Sequence, residues 1–169
     1  NGAAMNKPAL KTGRASIERK VGIGELDVLQ TTGVLKTLLG SCIGLVLYDR
    51  RNCVGGLAHI VLPTASGSSE SPGKYADTAL PELIRLIEQM GGKSANLTAK
   101  MAGGANMFVT STTNAIGAQN VSMVESLLKI AGIPVLGRDC GGQQGRRLAF
   151  DVQTGNVTVE IVGGPPVQL

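Results

Sequence analysis

From Val21 onward the chain alternates short apolar runs with polar breaks. Residues 21–23 and 25–29 read as short extended segments. Residues 34–39 form a third, broken by Gly40-Ser41. Residues 43–48 are a run dominated by Ile, Leu and Val, ended by Asp49-Arg50-Arg51-Asn52. A further apolar segment, 54–62, follows and is closed by Pro63. Two apolar runs joined by a polar turn predict a hairpin of mostly buried strands. The polar stretch 64–73 is a loop by composition. Apolar residues at 80, 83, 84, 86, 87 and 90 then predict a helix over 77–90, stopped by Gly91-Gly92. Pro81 is tolerable there if the helix begins near residues 77–80, placing it in the first turn. Residues 97–101 read as a strand leading into Gly103-Gly104. A second helix is predicted over 121–131, with Asn120 as N-cap and Gly132 just past its end. Strands at 133–136, 148–152 and 157–162 close the chain, the last two joined by a turn at 153–156.

Strands come first, helices interleave, and strands return. That order predicts an α/β fold, a compact layered sandwich of mixed or antiparallel strands with two principal helices. The periodic region makes residues 21–169 a single domain. Residues 1–20 lack periodicity and read as a flexible lead-in, with Asn-Gly-Ala-Ala ahead of Met5 an added leader.

Composition narrows the function. With 169 residues, the chain is long enough to bury a core without disulfides or metal. Aromatics are 2% and Trp is absent, which argues against stacking platforms for single-stranded nucleic acid. Residues 1–20 hold five basic groups and one acidic, and the rest of the chain eleven of each, so the net charge of +4 belongs to the lead-in. A neutral body with a short basic segment predicts no nucleic-acid partner. No apolar run approaches the roughly 18 residues of a membrane span, so no membrane insertion is expected. Three cysteines without a CxxC pair, and one histidine, favour neither a disulfide framework nor a zinc site. No metal and no cofactor is expected, and the cysteine usage fits a reducing cytoplasm.

The candidate chemistry lies in Gly40-Ser41-Cys42 and, 17 residues on from Cys42, in Gly55-Gly56-Leu57-Ala58-His59. A cysteine where a Gly-Ser pair breaks an extended segment can be exposed among backbone N–H groups that face a developing oxyanion. The hairpin brings Cys42 and His59 onto neighbouring strands, and a Cys–His pair at hydrogen-bond distance makes a thiolate that attacks acyl carbons. Buried cysteines are also common as inert packing, and a lone histidine at a strand end is commonly structural. The residues alone leave both readings open. Two glycine clusters, Gly103-Gly104 with Ala105-Asn106-Met107-Phe108 and Gly141-Gly142 with Gln143-Gln144-Gly145-Arg146, read either as tight turns or as walls of a cleft. Neither carries a phosphate-loop or dinucleotide fingerprint.

These blocks, in order and spacing, resemble one family. They are Val21-Gly22-Ile23-Gly24-Glu25, Thr37-Leu38-Leu39-Gly40-Ser41-Cys42, the run from Gly55 to Pro63, Lys74-Tyr75-Ala76-Asp77, the run from Gly103 to Phe108, Ile116-Gly117-Ala118-Gln119-Asn120, and Gly141-Gly142. They are similar to CheD, the chemoreceptor glutamine deamidases of bacterial and archaeal chemotaxis. The resemblance implies a thiol amidohydrolase with Cys42 as nucleophile, His59 as base and Thr37 as third member. Ser41, Gly103, Gly104, Met107, Phe108 and Asn120 are then the candidate substrate-binding positions. It implies methyl-accepting chemoreceptors as substrates, a CheC-type phosphatase as a further partner, and a monomer. The alternative is a non-catalytic partner or regulator of that phosphatase and of chemoreceptors.

Overall fold

The predicted hairpin is the centre of the fold. Strands β4 (Ile43–Asp49) and β5 (Val54–Ile60) pair antiparallel, and every residue of both is buried. In the computed structural model, which describes residues 16–67, 71–107 and 115–169, they belong to one of two five-stranded mixed sheets. This sheet adds β2 (Leu26–Gln30) beside β5. On the other side it adds β6 (Thr98–Gly103) and then β7 (Val135–Cys140), the last pair parallel. The second sheet runs β1 (Glu18–Lys20), β3 (Val34–Leu39), β8 (Arg146–Asp151), β9 (Val157–Ile161) and β10 (Pro166–Gln168).

Two helices, α1 (Ala76–Gln89) and α2 (Ile116–Ala131), cover one face of the first sheet. The layers are therefore sheet, sheet, helices. Alternation along the central strands divides their side chains between two cores. Ile43, Leu45, Leu47, Val54, Ala58 and Ile60 meet Leu80, Leu83, Ile87, Val124 and Leu128 of the helices. Val46, Tyr48 and Leu57 face the other way, against Leu35, Leu39, Leu148, Phe150 and Val159 of the second sheet. Each fully buried Leu or Ile contributes about 1.5–3 kcal/mol relative to exposure.

The pair Gly55-Gly56 is a consequence of this double burial. A Cβ at Gly55 would stand 2.6 Å from the Phe150 ring, and one at Gly56 would stand 2.6 Å from Leu83. One glycine makes room for the second sheet and the next for α1.

Several boundaries differ from the sequence reading. Residues 21–23 are no strand: Ile23-Gly24 form a turn, and the strand lies before them at β1, paired with β3. β1 and β10 are exposed throughout, so they carry no apolar alternation to read. α1 begins at Ala76, which puts Pro81 past the first turn, where it removes the bond to the Asp77 carbonyl. α2 begins five residues early, at Ile116. Its first turn seats Gly117 against the carbonyls of Gly104 and Ala105, a backbone contact invisible to hydropathy. Asn120 is therefore no N-cap but an interior helical residue. β7 runs on to Cys140 through polar residues at a sheet edge. Among the described residues, no helix is long and apolar enough to cross a membrane.

Candidate functional site

Gly40-Ser41-Cys42 is the corner where the chain leaves β3 in one sheet and enters β4 in the other. Cys42 is half-buried and packs at the rim of the core between the sheets. Among the described residues, the backbone N–H groups of Ser41 and Cys42 donate to nothing. Their carbonyls are held: Gly104 N–H donates to Cys42 O at 2.9 Å, and Asn120 Nδ2 donates to Ser41 O at 3.1 Å. The bend thus presents a thiol and two free donors on a fixed backbone.

His59 lies near the end of β5, directly opposite Gly44 on β4 and 2% exposed. Alternation points its side chain with that of Leu57 into the core between the sheets. Cys42, two residues before Gly44, faces the same way. Cys42 and His59 are thus diagonal neighbours at the ends of paired strands. Such pairs lie about 7–8 Å apart and within reach of larger side chains. No hydrogen bond joins Cys42 Sγ to His59. The expected contact is not formed in this resting arrangement, as is common before substrate binds.

Thr37 completes the group from the opposite sheet. The alternation of β3 buries Leu35, Thr37 and Leu39 and exposes Lys36 and Leu38. Thr37 Oγ1 donates to Val21 O at 2.6 Å and stands 2.7 Å from His59 Nδ1. A hydroxyl has one proton. Spent on Val21, it leaves Thr37 to accept from His59, so Nδ1 carries the ring proton and Nε2 keeps the lone pair.

Burial acts on both groups toward their neutral forms. Burial pushes the Cys42 thiol above its ordinary value. Burial also holds His59 below its ordinary value, opposed by the Val21 carbonyl and the Glu25 charge. Near neutral pH the pair is a thiol and a neutral imidazole. The sequence reading tied a thiolate to a Cys–His hydrogen bond, and without that bond both shifts favour the neutral forms.

The segment after β6 forms the next wall. Gly103 has φ +109, and a Cβ there would stand 2.1 Å from Cys42 O. Gly104 donates to Cys42 and Ala105 donates to Gly40, so the strand end is sewn to the cysteine loop. The closeness is of backbone to backbone. Met107 is exposed and lies beside Gly40, while Phe108 falls outside the described residues. Asn120 is fully buried: its Nδ2 reaches Ser41 O and, at 2.9 Å, Val61 O, while its Oδ1 has no partner among the described residues. It ties the cysteine loop to the segment following His59.

Arg146 was not singled out from the sequence, although it closes the second glycine cluster. Its guanidinium, 5% exposed, donates to Gly103 O at 2.7 Å, to Asp139 O at 2.8 Å and to Gly141 O. Gly142 O in turn accepts from Asn106 N–H. An arginine at the head of an apolar strand was the available signal. A cleft of about 350 Å³ opens on the far side of Gly104, lined by Asn106, Cys140, Gly141, Gly142 and α2, but not by Cys42.

A cysteine at a sheet-to-sheet corner, with an oriented histidine on the adjoining strand, is an arrangement suited to thiol-dependent acyl chemistry. The chain belongs to the CheD family. The family model for CheD chemotactic sensory transduction matches residues 61–161. The chain is 43% identical over 149 residues to the chemoreceptor glutamine deamidase CheD of Thermotoga maritima, covering 88% of this chain and 94% of that one. It is 44% identical over 142 residues to a CheD of Methanococcus vannielii, at 83% and 92% coverage. With a CheD of Desulforamulus reducens it shares 41% identity over 162 residues, at 92% and 98%. Among solved structures it is similar to the Bacillus licheniformis hypothetical protein YfiH, with a TM-score of 0.41 and 12% identity over 63% of this chain and 46% of that one, too slight a likeness to carry an argument.

Proposed function

We propose that this chain is a chemoreceptor glutamine deamidase. It hydrolyses the side-chain amide of particular receptor glutamines to glutamate, with Cys42 as nucleophile, His59 as base and Thr37 orienting the imidazole. The reading rests on membership of a family whose Thermotoga maritima member bears that name. The observation that carries it is the Val21–Thr37–His59 hydrogen-bond chain, which leaves Nε2 as the basic nitrogen on the face that Cys42 shares.

The chemistry follows from these groups. His59 Nε2 takes the Cys42 proton as Sγ bonds to the amide carbon, so charge separates only as attack proceeds. The carbonyl oxygen becomes an oxyanion beside the free N–H groups of Ser41 and Cys42. The imidazolium returns its proton to the nitrogen, the carbon–nitrogen bond breaks, and ammonia leaves a thioester. Water, giving its proton to the same Nε2, attacks the thioester carbon. The carbon–sulfur bond then breaks, the thiolate regains the proton, and glutamate is released. Thr37 keeps Nδ1 protonated throughout, as the third member of a triad does. Met107 borders the substrate, while Gly103, Gly104, Ser41 and Asn120 serve it through the backbone they hold. The catalytic domain spans residues 21–169 and works as a cytoplasmic monomer, with a CheC-type phosphatase as second partner.

The test is ammonia release, with the amide-to-acid mass gain located by peptide mapping, when the purified chain meets a cytoplasmic chemoreceptor fragment. Wild type is expected to release ammonia, and Cys42→Ala and His59→Ala to release none. Deamidation by Cys42→Ala would overturn the assignment. Release by no protein, wild type included, would favour the non-catalytic partner or regulator instead.

A further inference from the structure

The block Val21-Gly22-Ile23-Gly24-Glu25 has so far served only through one carbonyl. We propose that Glu25 is a positioning residue for His59: its carboxylate anchors a hydrogen-bond chain that runs through the 21–22 peptide and Thr37 to the imidazole. The inference rests on the proposed deamidase reading and adds a fourth member to its machinery.

The geometry is continuous. Glu25 Oε2 accepts from Gly22 N–H at 2.8 Å. Gly22 N–H and Val21 C=O belong to one peptide group. That carbonyl accepts from Thr37 Oγ1 at 2.6 Å, and Thr37 lies 2.7 Å from His59 Nδ1. A peptide whose N–H is bonded to a carboxylate has a more negative oxygen, and hydrogen bonds in series polarise one another. The exposed carboxylate thus reaches a buried imidazole without being buried itself. A charge buried beside His59 would instead incur a large desolvation cost.

The turn that holds the carboxylate is itself tied to His59. Glu25 N–H donates to Gly22 O at 3.0 Å, His59 N–H donates to Glu25 O at 2.9 Å, and Gly24 N–H donates to His59 O at 3.0 Å. A Cβ at Gly22 would stand 3.0 Å from Glu25 Oε2, so this glycine keeps the approach open. The surroundings offer His59 few other influences. From β3 it faces Thr37, and from β4 the bare Gly44 with the Cys42 thiol beyond it. Among the described residues, burial lowers His59, and the Val21 carbonyl and then the Glu25 charge oppose it, in the direction of a stabilised imidazolium.

The experiment uses the full chain. The single histidine makes the ring C–H signals in an NMR titration report His59 directly. Glu25→Gln keeps an oxygen for Gly22 N–H and removes the charge, whereas Glu25→Ala removes both. In Glu25→Gln the His59 midpoint is expected to fall by about half a pH unit, the scale of one partly screened charge. Ammonia release should lose about threefold in kcat with KM unchanged. Glu25→Ala, and Gly22→Ala by crowding the carboxylate, should lose more in kcat. A Glu25→Gln titration superimposable on wild type overturns the relay, as does a shifted titration with unchanged kcat. A wild type that deamidates no receptor fragment overturns the function instead, and the titration then decides the hydrogen-bond chain on its own.

Discussion

Replacing Gly103 by alanine is expected to damage the proposed nucleophile, Cys42, without touching its side chain. The new Cβ would stand 2.1 Å from Cys42 O. Carbon and carbonyl oxygen ordinarily approach no closer than about 3.3 Å, so the Cys42 carbonyl must retreat by about 1 Å. That retreat stretches the 2.9 Å bond from Gly104 N–H, which fixes the cysteine loop. A displacement of about 1 Å at a reacting group costs about 100-fold in rate. The φ of +109 adds about 1–3 kcal/mol of strain for any residue with a side chain. Gly141→Ala is the control. Its φ is +84, but nothing lies within 4 Å of the new Cβ, so it bears strain without a clash. Denaturant midpoints and ammonia release should be measured for both. Gly103→Ala should be the less stable of the two and lose about two orders of magnitude in kcat. Equal stability of the variants, with full release by Gly103→Ala, would refute the reasoning.

Alkylation of Cys42 by iodoacetamide should be slow at neutral pH and accelerate only above the ordinary thiol range, because burial raises this thiol. Rapid alkylation at pH 6 would show a preformed thiolate. Thr37→Val should leave His59 Nδ1–H and Val21 O without their partner, at about 1–3 kcal/mol each, and lower kcat, while Thr37→Ser keeps the hydroxyl and most of both properties. Urea midpoints and ammonia release check this pair. Asp49 is fully buried; burial raises its carboxyl, but hydrogen bonds from Asn52, Lys93 and Asn96 outweigh that and hold it below the usual range. A depressed carboxyl stabilises the fold above its unfolded pKa and loses that contribution as pH falls through the folded one. Asp49→Ala should therefore cost about 2–4 kcal/mol at pH 7, and the gap to wild type should narrow below about pH 4, as read from urea midpoints at each pH.

Strands and helices that bury a face were legible along the chain. The strict alternation of 34–39 places Thr37 inward with Leu35 and Leu39, and the same rule sends Cys42 and His59 to one side of their hairpin. The sequence reading reached Cys42 and His59 from their blocks and spacing, and Thr37 only through the family resemblance. It fails where burial leaves no local mark. The edge strands β1 and β10 are exposed on both faces, and the first turn of α2 sits against backbone.

Partners joined across long separations were beyond its reach. Asn120 has the composition of a helix cap, yet its amide holds carbonyls 79 and 59 residues away. Arg146 holds a carbonyl 43 residues back, and Thr37 meets His59 across 22. Hydropathy along a chain records how much water each side chain avoids, which is a property of its own neighbourhood. A hydrogen bond records which donor meets which acceptor once two sheets have closed. That pairing is settled by register and layer packing, and so the Thr37–His59 contact and the Glu25–Gly22 contact came only with the folded chain.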